Sequence, residues 1–160
     1  MSSDDRDRRA ISVSRRVMRG FSPLALETAR KAANLTRSDL ARVAGVGIAT
    51  VRRWETGESS PQVDALARVA EALKVSIGEV VRIDPDQRFP GDWRVLRGLT
   101  QPQLGALAGV STAVVGSIER AEVALTEANA VRLGQALQIS VEELRAAHER
   151  ARLRPPGAPA

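Results

Sequence analysis

Cysteine is absent from the 160 residues, so no disulfide framework, thiolate nucleophile or cysteine-based metal site can form. Histidine occurs once, as His148. No acid, base, nucleophile or metal set converges elsewhere in the sequence, so the chain reads as a non-enzyme without catalytic residue, cofactor or metal. Aromatic residues make up 2% of the chain, and β-branched/aromatic alternation is nearly missing, which argues against a sheet. No run approaches the roughly 20 apolar residues needed to cross a bilayer. The opening MSSDDRDRRA has no apolar signal core, and the expectation is a cytoplasmic protein with no membrane partner.

Hydrophobic residues account for 43%, with Ala, Leu, Val and Arg dominant, a mixture that favours helices. The length allows one ordinary domain or two very small ones. A formal charge of +5 and a pI near 11.0 suit a polyanionic partner.

The chain repeats itself. A shift of 64 residues lays LTRSDLARVAGVGIATVRRWE on LTQPQLGALAGVSTAVVGSIE without a gap, pairing Leu35 with Leu99, Ala44 with Ala108 and Glu55 with Glu119. The register continues, with Val69 on Leu133, Leu73 on Leu137, and Ser76 and Glu79 on Ser140 and Glu143. The fold class is therefore all-α, two tandem units.

Each unit reads as five short helices. Ser22-Pro23 caps and opens a first helix running to about Ala33. Thr36 reads as an N-cap with the acid Asp39 at the third position, Thr100 with Gln103 fits a capping box better, and each starts the second helix of its unit. Gly45 and Gly109 stand where a left-handed residue ends that helix. Gly47 and Ser111 cap the third helix, Ser111 being the stronger cap. Val63 to Leu73 carries a fourth helix, and Ser76 with Glu79 has the spacing of a capping box for a fifth.

On a wheel of about 100° per residue, Ile48, Ala49, Arg52 and Arg53 share one sector of the third helix, while Val51 and Trp54 lie opposite. Trp54 is thus expected in the core, with Ile118 as its counterpart. The arginines face outward, and the planar fork of donors on each fits O6 and N7 of guanine bidentately.

Helix, tight glycine-containing turn, helix is the helix-turn-helix pattern. The pattern LTxxxLAxxAGVS, met with Gly47 at its final Ser in the first copy and Gly105 at its first Ala in the second, and followed by a short helix ending in a hydrophobe and Glu, resembles the phage-repressor and Cro-like (XRE-type) helix-turn-helix family, twice in fixed register. The resemblance implies two tandem five-helix DNA-binding domains whose third helix enters the major groove of double-stranded DNA. It places candidate DNA contacts at Arg37, Gly47, Ile48, Ala49, Thr50, Arg52 and Arg53 in the first copy. In the second copy they fall at Gln101, Thr112, Ala113 and Ser117. Arg37 and Gln101 occupy the position that, in the family, contacts phosphate and braces the third helix. The resemblance also implies an ion pair between the first helix and the end of the third, Arg30 with Glu55 and Arg94 with Glu119.

The copies differ in charge. Residues 24–83 hold nine basic against seven acidic residues, net +2, and residues 88–147 hold six of each. The reader positions Thr112, Ala113, Gly116 and Ser117 carry none. Phosphate neutralisation drives most nucleic-acid affinity, so the first copy is expected to be the main reader. The second can supply hydroxyl contacts, a surface between subunits, or a seat for a protein partner in an adaptor or antitoxin-like role. Residues 1–21 read as a basic arm, with Arg15, Arg16 and Arg19 nearest the domain. They are followed by a first domain over 22–82, a linker over 83–91, a second domain over 92–154 and a flexible tail over 155–160. Fully extended, Ile83 to Asp92 reaches at most about 33 Å, close to the roughly 34 Å between half-sites one DNA turn apart. Leu144, Ala147, Ala151 and Leu153 form an apolar stripe on the extended last helix, available for a homodimer or for packing on its own domain.

Overall fold

The computed structural model describes residues 17–160, and among these there is no strand beyond an isolated bridge between Phe21 and Val81. The first domain contains α1 (Pro23–Ala32), α2 (Arg37–Ala44), α3 (Ile48–Thr56), α4 (Val63–Leu73) and a 3-10 turn (Ile77–Glu79). A second 3-10 turn (Pro85–Gln87) leads to α5 (Pro90–Leu96), α6 (Gln101–Ala108), α7 (Thr112–Glu119), α8 (Glu127–Leu137) and α9 (Val141–Arg152).

Local chemistry sets most boundaries. The Ser22 hydroxyl accepts from Ala25 N–H at 3.1 Å, with Pro23 supplying the fixed φ of a first turn. Thr36 and Asp39 satisfy each other's backbone N–H groups at 3.0 Å, and Thr100 and Gln103 do the same at 2.9 and 3.3 Å. Gly45 and Gly109 take φ of 68° and 69°, where a side chain would be strained, and this turns the chain from the second helix into the third. Gly47 offers no side-chain cap, whereas Ser111 accepts from Val114 N–H at 3.3 Å.

Two cores result. Leu26, Leu40, Val51, Trp54, Leu66, Val69 and Val80 lie in the first, and Leu104, Val115, Ile118, Ala130, Leu133 and Leu144 in the second. Trp54 is 4% exposed and Ile118 1%, so the two copies bury the same position. In each domain the third helix packs across the second by its inner face, which leaves its outer face to solvent.

The fifth elements differ, and here the expectation of five matching helices is corrected. In the first domain Ser76 makes no side-chain cap bond and only the turn Ile77–Glu79 forms. Gly78 weakens a helix there, and the β-branched pair Val80-Val81 suits extended backbone. Val80 C=O accepts from Ser22 N–H at 2.8 Å, and Arg82 N–H donates to Gly20 C=O at 2.8 Å. In the second domain Ser140 and Glu143 form the reciprocal cap, and good helix formers carry α9 through Arg152.

The end of the arm and the linker are built into the molecule where they are described. Residues 1–16, including Ile11, Val13, Arg15 and Arg16, lie outside the described residues. Met18 N–H donates to Ser60 Oγ at 2.8 Å, and Met18 and Phe21 pack on the first core. Residues 83–91 are not an extended tether: they hold the turn Pro85–Gln87 and the start of α5, and Arg150 of α9 donates to the carbonyls of Arg88 and Pro85 at 3.2 and 3.1 Å. Val95 and Leu96 of α5 pack on the first core, and Gly98 passes Ala67 and Ile77 so closely that a Cβ there would sit 3.2 Å from each. The two domains therefore meet through side chains, and their separation is set by this packing and not by linker reach. Arg154 Nε donates to Ala158 C=O at 3.1 Å, and Ala158 N–H to Pro155 C=O at 3.1 Å, a turn at the start of the last segment. Leu144, Ala147 and Ala151 are at most 1% exposed within their own domain, which removes them from the stripe offered to a homodimer; Leu153 stays exposed. His148 is half-buried, its Nε2 3.0 Å from Val123 C=O. No helix among the described residues is long and apolar enough to cross a membrane.

Candidate nucleic-acid interface

The outer face of α3 holds the first candidate set. Ile48 is 55% exposed, Gly47, Ala49 and Arg52 are exposed, and Thr50 and Arg53 are half-buried. Arg53 Nη2 donates to Thr50 Oγ1 at 3.3 Å, which lays the guanidinium along the helix one turn back. Arg52 Nη1 stands 3.7 Å from Glu58 Oε1, with both side chains 51% exposed. A solvated pair of this kind contributes only about 0–1 kcal/mol. Both guanidinium groups are therefore available to an incoming acceptor.

The inner face anchors this helix through a charge cluster. Arg30 Nε donates to Glu55 Oε2 at 2.7 Å and Nη2 to Oε1 at 2.9 Å, while Nη1 closes on Leu35 C=O at 2.8 Å. Arg37 Nε adds a bond to Glu55 Oε1 at 3.1 Å. Burial pushes the Glu55 carboxyl upward, but the hydrogen bonds and charges of Arg30 and Arg37 outweigh it and hold the group below the ordinary carboxylate range. The hydrogen bond to Glu55 likewise raises the Arg30 guanidinium, against the opposing effect of burial. Three charged groups from α1, α2 and α3 thus fix how α3 leans on the domain.

The second domain repeats the arrangement with one charge fewer. Arg94 Nε donates to Glu119 Oε2 at 2.7 Å, and Gln101 Nε2 donates to Glu119 Oε1 at 3.1 Å. Thr112 and Ala113 are exposed on α7 and Ser117 is half-buried. Gly116 is buried beneath the side chains of Arg120 and Gln101.

The structure leaves Ile48, Ala49 and Arg52 exposed on α3 with Thr50 and Arg53 half-buried, whereas Arg37 is only partly free, with its side chain 35% exposed and its Nε engaged by Glu55. Sequence reasoning gave this position a bracing role on the third helix but missed Glu55 as its partner. The signal was present, since Arg37 precedes Glu55 by the same 18 residues that separate Gln101 from Glu119. It also missed Arg19, whose Nε lies 3.2 Å from both oxygens of buried Asp92 and whose guanidinium rests 4.2 Å from the centroid of the Phe89 ring. No local pattern marks a pair 73 residues apart.

Over 55 residues the chain is 34% identical to the cryptic phage CTXphi transcriptional repressor RstR of Vibrio cholerae serotype O1, a match covering 34% of this chain and 49% of that protein. The chain thus spans about half the length of this curated relative. No solved structure matches at a significant level. The helix-turn-helix family matches twice, over residues 26–80 and 92–144, more than half of the sequence. With the capped second helix, the left-handed glycine and the packed third helix found in both copies, the chain belongs to the helix-turn-helix family of the phage-repressor and Cro-like (XRE) type.

Proposed function

We propose that the protein is a sequence-specific double-stranded DNA-binding transcriptional regulator, and in particular a repressor that occupies an operator with α3 in the major groove. The observation that supports it is the pair Arg52 and Arg53 on a helix whose opposite face, Val51, Trp54 and Glu55, is buried. A major groove admits a helix, and each guanidinium can hydrogen-bond O6 and N7 of a guanine. Ile48 and Ala49 cannot donate and would meet thymine methyl groups or allow close approach. Arg37 would reach a phosphate with the donors that Glu55 leaves free, while Gly47 and Thr50 line the approach. The repressor assignment draws on the name of the Vibrio phage relative. Blocking polymerase requires no chemistry beyond occupancy.

Selection of bound duplexes from a random library, with the full chain, tests the reading. Arg53→Ala is expected to lose about 1–3 kcal/mol on the selected site and to relax sequence preference. Arg37→Ala is expected to weaken selected and random duplexes alike and to flatten the salt dependence. Equal losses on both duplexes for both variants would remove the base-reading role, and a chain that binds no duplex in dilute salt would remove the function.

A further inference from the structure

The repeat pairs Glu58 with Glu122, each the first acid beyond the left-handed residue that ends the third helix, Gly57 at φ 80° and Ala121 at φ 55°. In the first domain the basic group facing this acid is Arg52, with Nη1 3.7 Å from Glu58 Oε1. In the second domain the residue matching Arg52 is Gly116, which has no side chain to offer. The carboxylate of Glu122 is met instead by Arg120, at the position that is Thr56 in the first domain, with Nε to Oε1 at 2.7 Å and Nη2 to Oε2 at 3.1 Å. The arginine has moved one helical turn along the chain and kept the same acid.

It also reaches back to the helical position that Arg52 holds in the first domain. Side chains on a helix cover the turn N-terminal to their own Cα, and Arg120 accordingly lies back over Gly116. Its Nη1 is 3.0 Å from the point where a Cβ on residue 116 would stand, with the Gln101 amide oxygen 3.6 Å from that point. The missing Cβ is what lets the guanidinium settle there. The Arg120 side chain is half exposed, and its pair with Glu122 is solvated on both sides, so Glu122 gives way readily to another acceptor.

We infer that Arg120 is a specificity-determining DNA contact of the second domain, delivering to the outer face of α7, through the space above Gly116, the guanidinium that Arg52 delivers on α3. The inference rests on the DNA-binding reading of α3 and extends it: both domains read duplex DNA, and the second does so with an arginine that lies outside the reader positions of the repeat. The acceptor is a guanine edge in the major groove, for which the planar fork is suited. Glu122 competes with that edge for the same donors and holds the side chain in place until the groove arrives.

Selection from a random duplex library, followed by affinity measurements at several salt concentrations, tests this with full-length wild type, Arg120→Ala, Arg120→Lys, Glu122→Gln and Arg52→Ala/Arg53→Ala. The expected wild-type result is a site with two blocks of preference. Arg120→Ala should bind it about tenfold more weakly and lose a guanine from the second block alone. Arg120→Lys should lose that guanine too, because an ammonium cannot make the forked contact, and Glu122→Gln should bind more tightly by freeing the guanidinium. A second block unchanged in Arg120→Ala, a loss in Arg120→Ala that is equal on selected and random duplexes and so marks a mere phosphate contact, or a lysine variant that keeps the preference without the forked donors overturns the inference, while the loss in Arg52→Ala/Arg53→Ala leaves the function of α3 standing. Wild type that binds no duplex overturns both. Arg120 and Glu122 lie at the surface, and matching thermal unfolding of the variants separates lost contact from lost fold.

Discussion

Arg37 Nε donates to Glu55 Oε1 across 3.1 Å, tying the first residue of α2 to the end of α3. The other oxygen of that carboxylate is held by Arg30 at 2.7 Å, so a single buried acid joins three helices. Glu119 receives one arginine and a neutral amide in the same geometry. The orientation of the candidate reading helix is therefore set from behind, by the buried pair Arg30 and Glu55 and by one edge of Arg37.

Glu55→Ala leaves Arg30, 8% exposed, without its partner. Breaking a buried pair in this way costs about 3–5 kcal/mol, whereas Arg52→Ala at the surface should change stability by no more than about 0.5 kcal/mol. Urea unfolding of the two variants beside wild type checks the order, and an equal loss for both would place Glu55 outside the framework.

Acid should weaken the fold through the same carboxylate. The folded-state value of Glu55 is depressed, so its contribution is present above the ordinary carboxylate range and is lost as pH falls through the folded value. Unfolding free energy measured from neutral pH downward should therefore decline, and Glu55→Gln should decline less steeply.

Asp92 should act in the opposite sense. Burial pushes its carboxyl upward against the hydrogen bonds from Phe89 N–H and Arg19 and the Arg19 charge, leaving it above the ordinary aspartate value. A raised acid in the folded state makes stability rise as pH falls through that value, partly masking the Glu55 effect. Asp92→Asn should accordingly steepen the acid decline, and a shallower curve would contradict this sign.

Arg19→Ala removes the cation that spans Asp92 and the Phe89 ring at the junction of the domains. Arg19 is about one-third exposed, so the expected loss is modest, about 1 kcal/mol after screening. Hydrogen exchange should show the change at the Phe89 amide and the start of α5, with the α3 amides unaffected.

Gly116→Ala should gain up to about 1 kcal/mol of helix propensity in α7. The new methyl would meet Arg120 Nη1 at 3.0 Å, the mobile end of a long side chain that can give way. A small net rise in the thermal midpoint is expected; a fall would show that Arg120 is held there more firmly than its exposure indicates.

The sequence by itself determined the helices whose ends carry their own chemistry. Ser22, Thr36, Thr100, Ser111 and Ser140 accept backbone N–H bonds within three residues, and Gly45 and Gly109 take the left-handed turn without a Cβ. Such signals act over a few residues and need no partner, so they could be read in order along the chain. The repeat did the same for the core, because matching positions such as Trp54 and Ile118 must fill matching space.

Tertiary structure decided what depends on residues far apart. The 3-10 turn in place of a fifth helix follows from Val80 and Val81 meeting Ser22 and Phe21, the closed junction from Arg19 meeting Asp92, and the buried stripe of α9 from packing on its own domain. The place of Arg120 was hidden for a related reason. A long side chain puts its charge about one turn from its own Cα, so the residue number that bears the guanidinium is not the position on the surface where it acts.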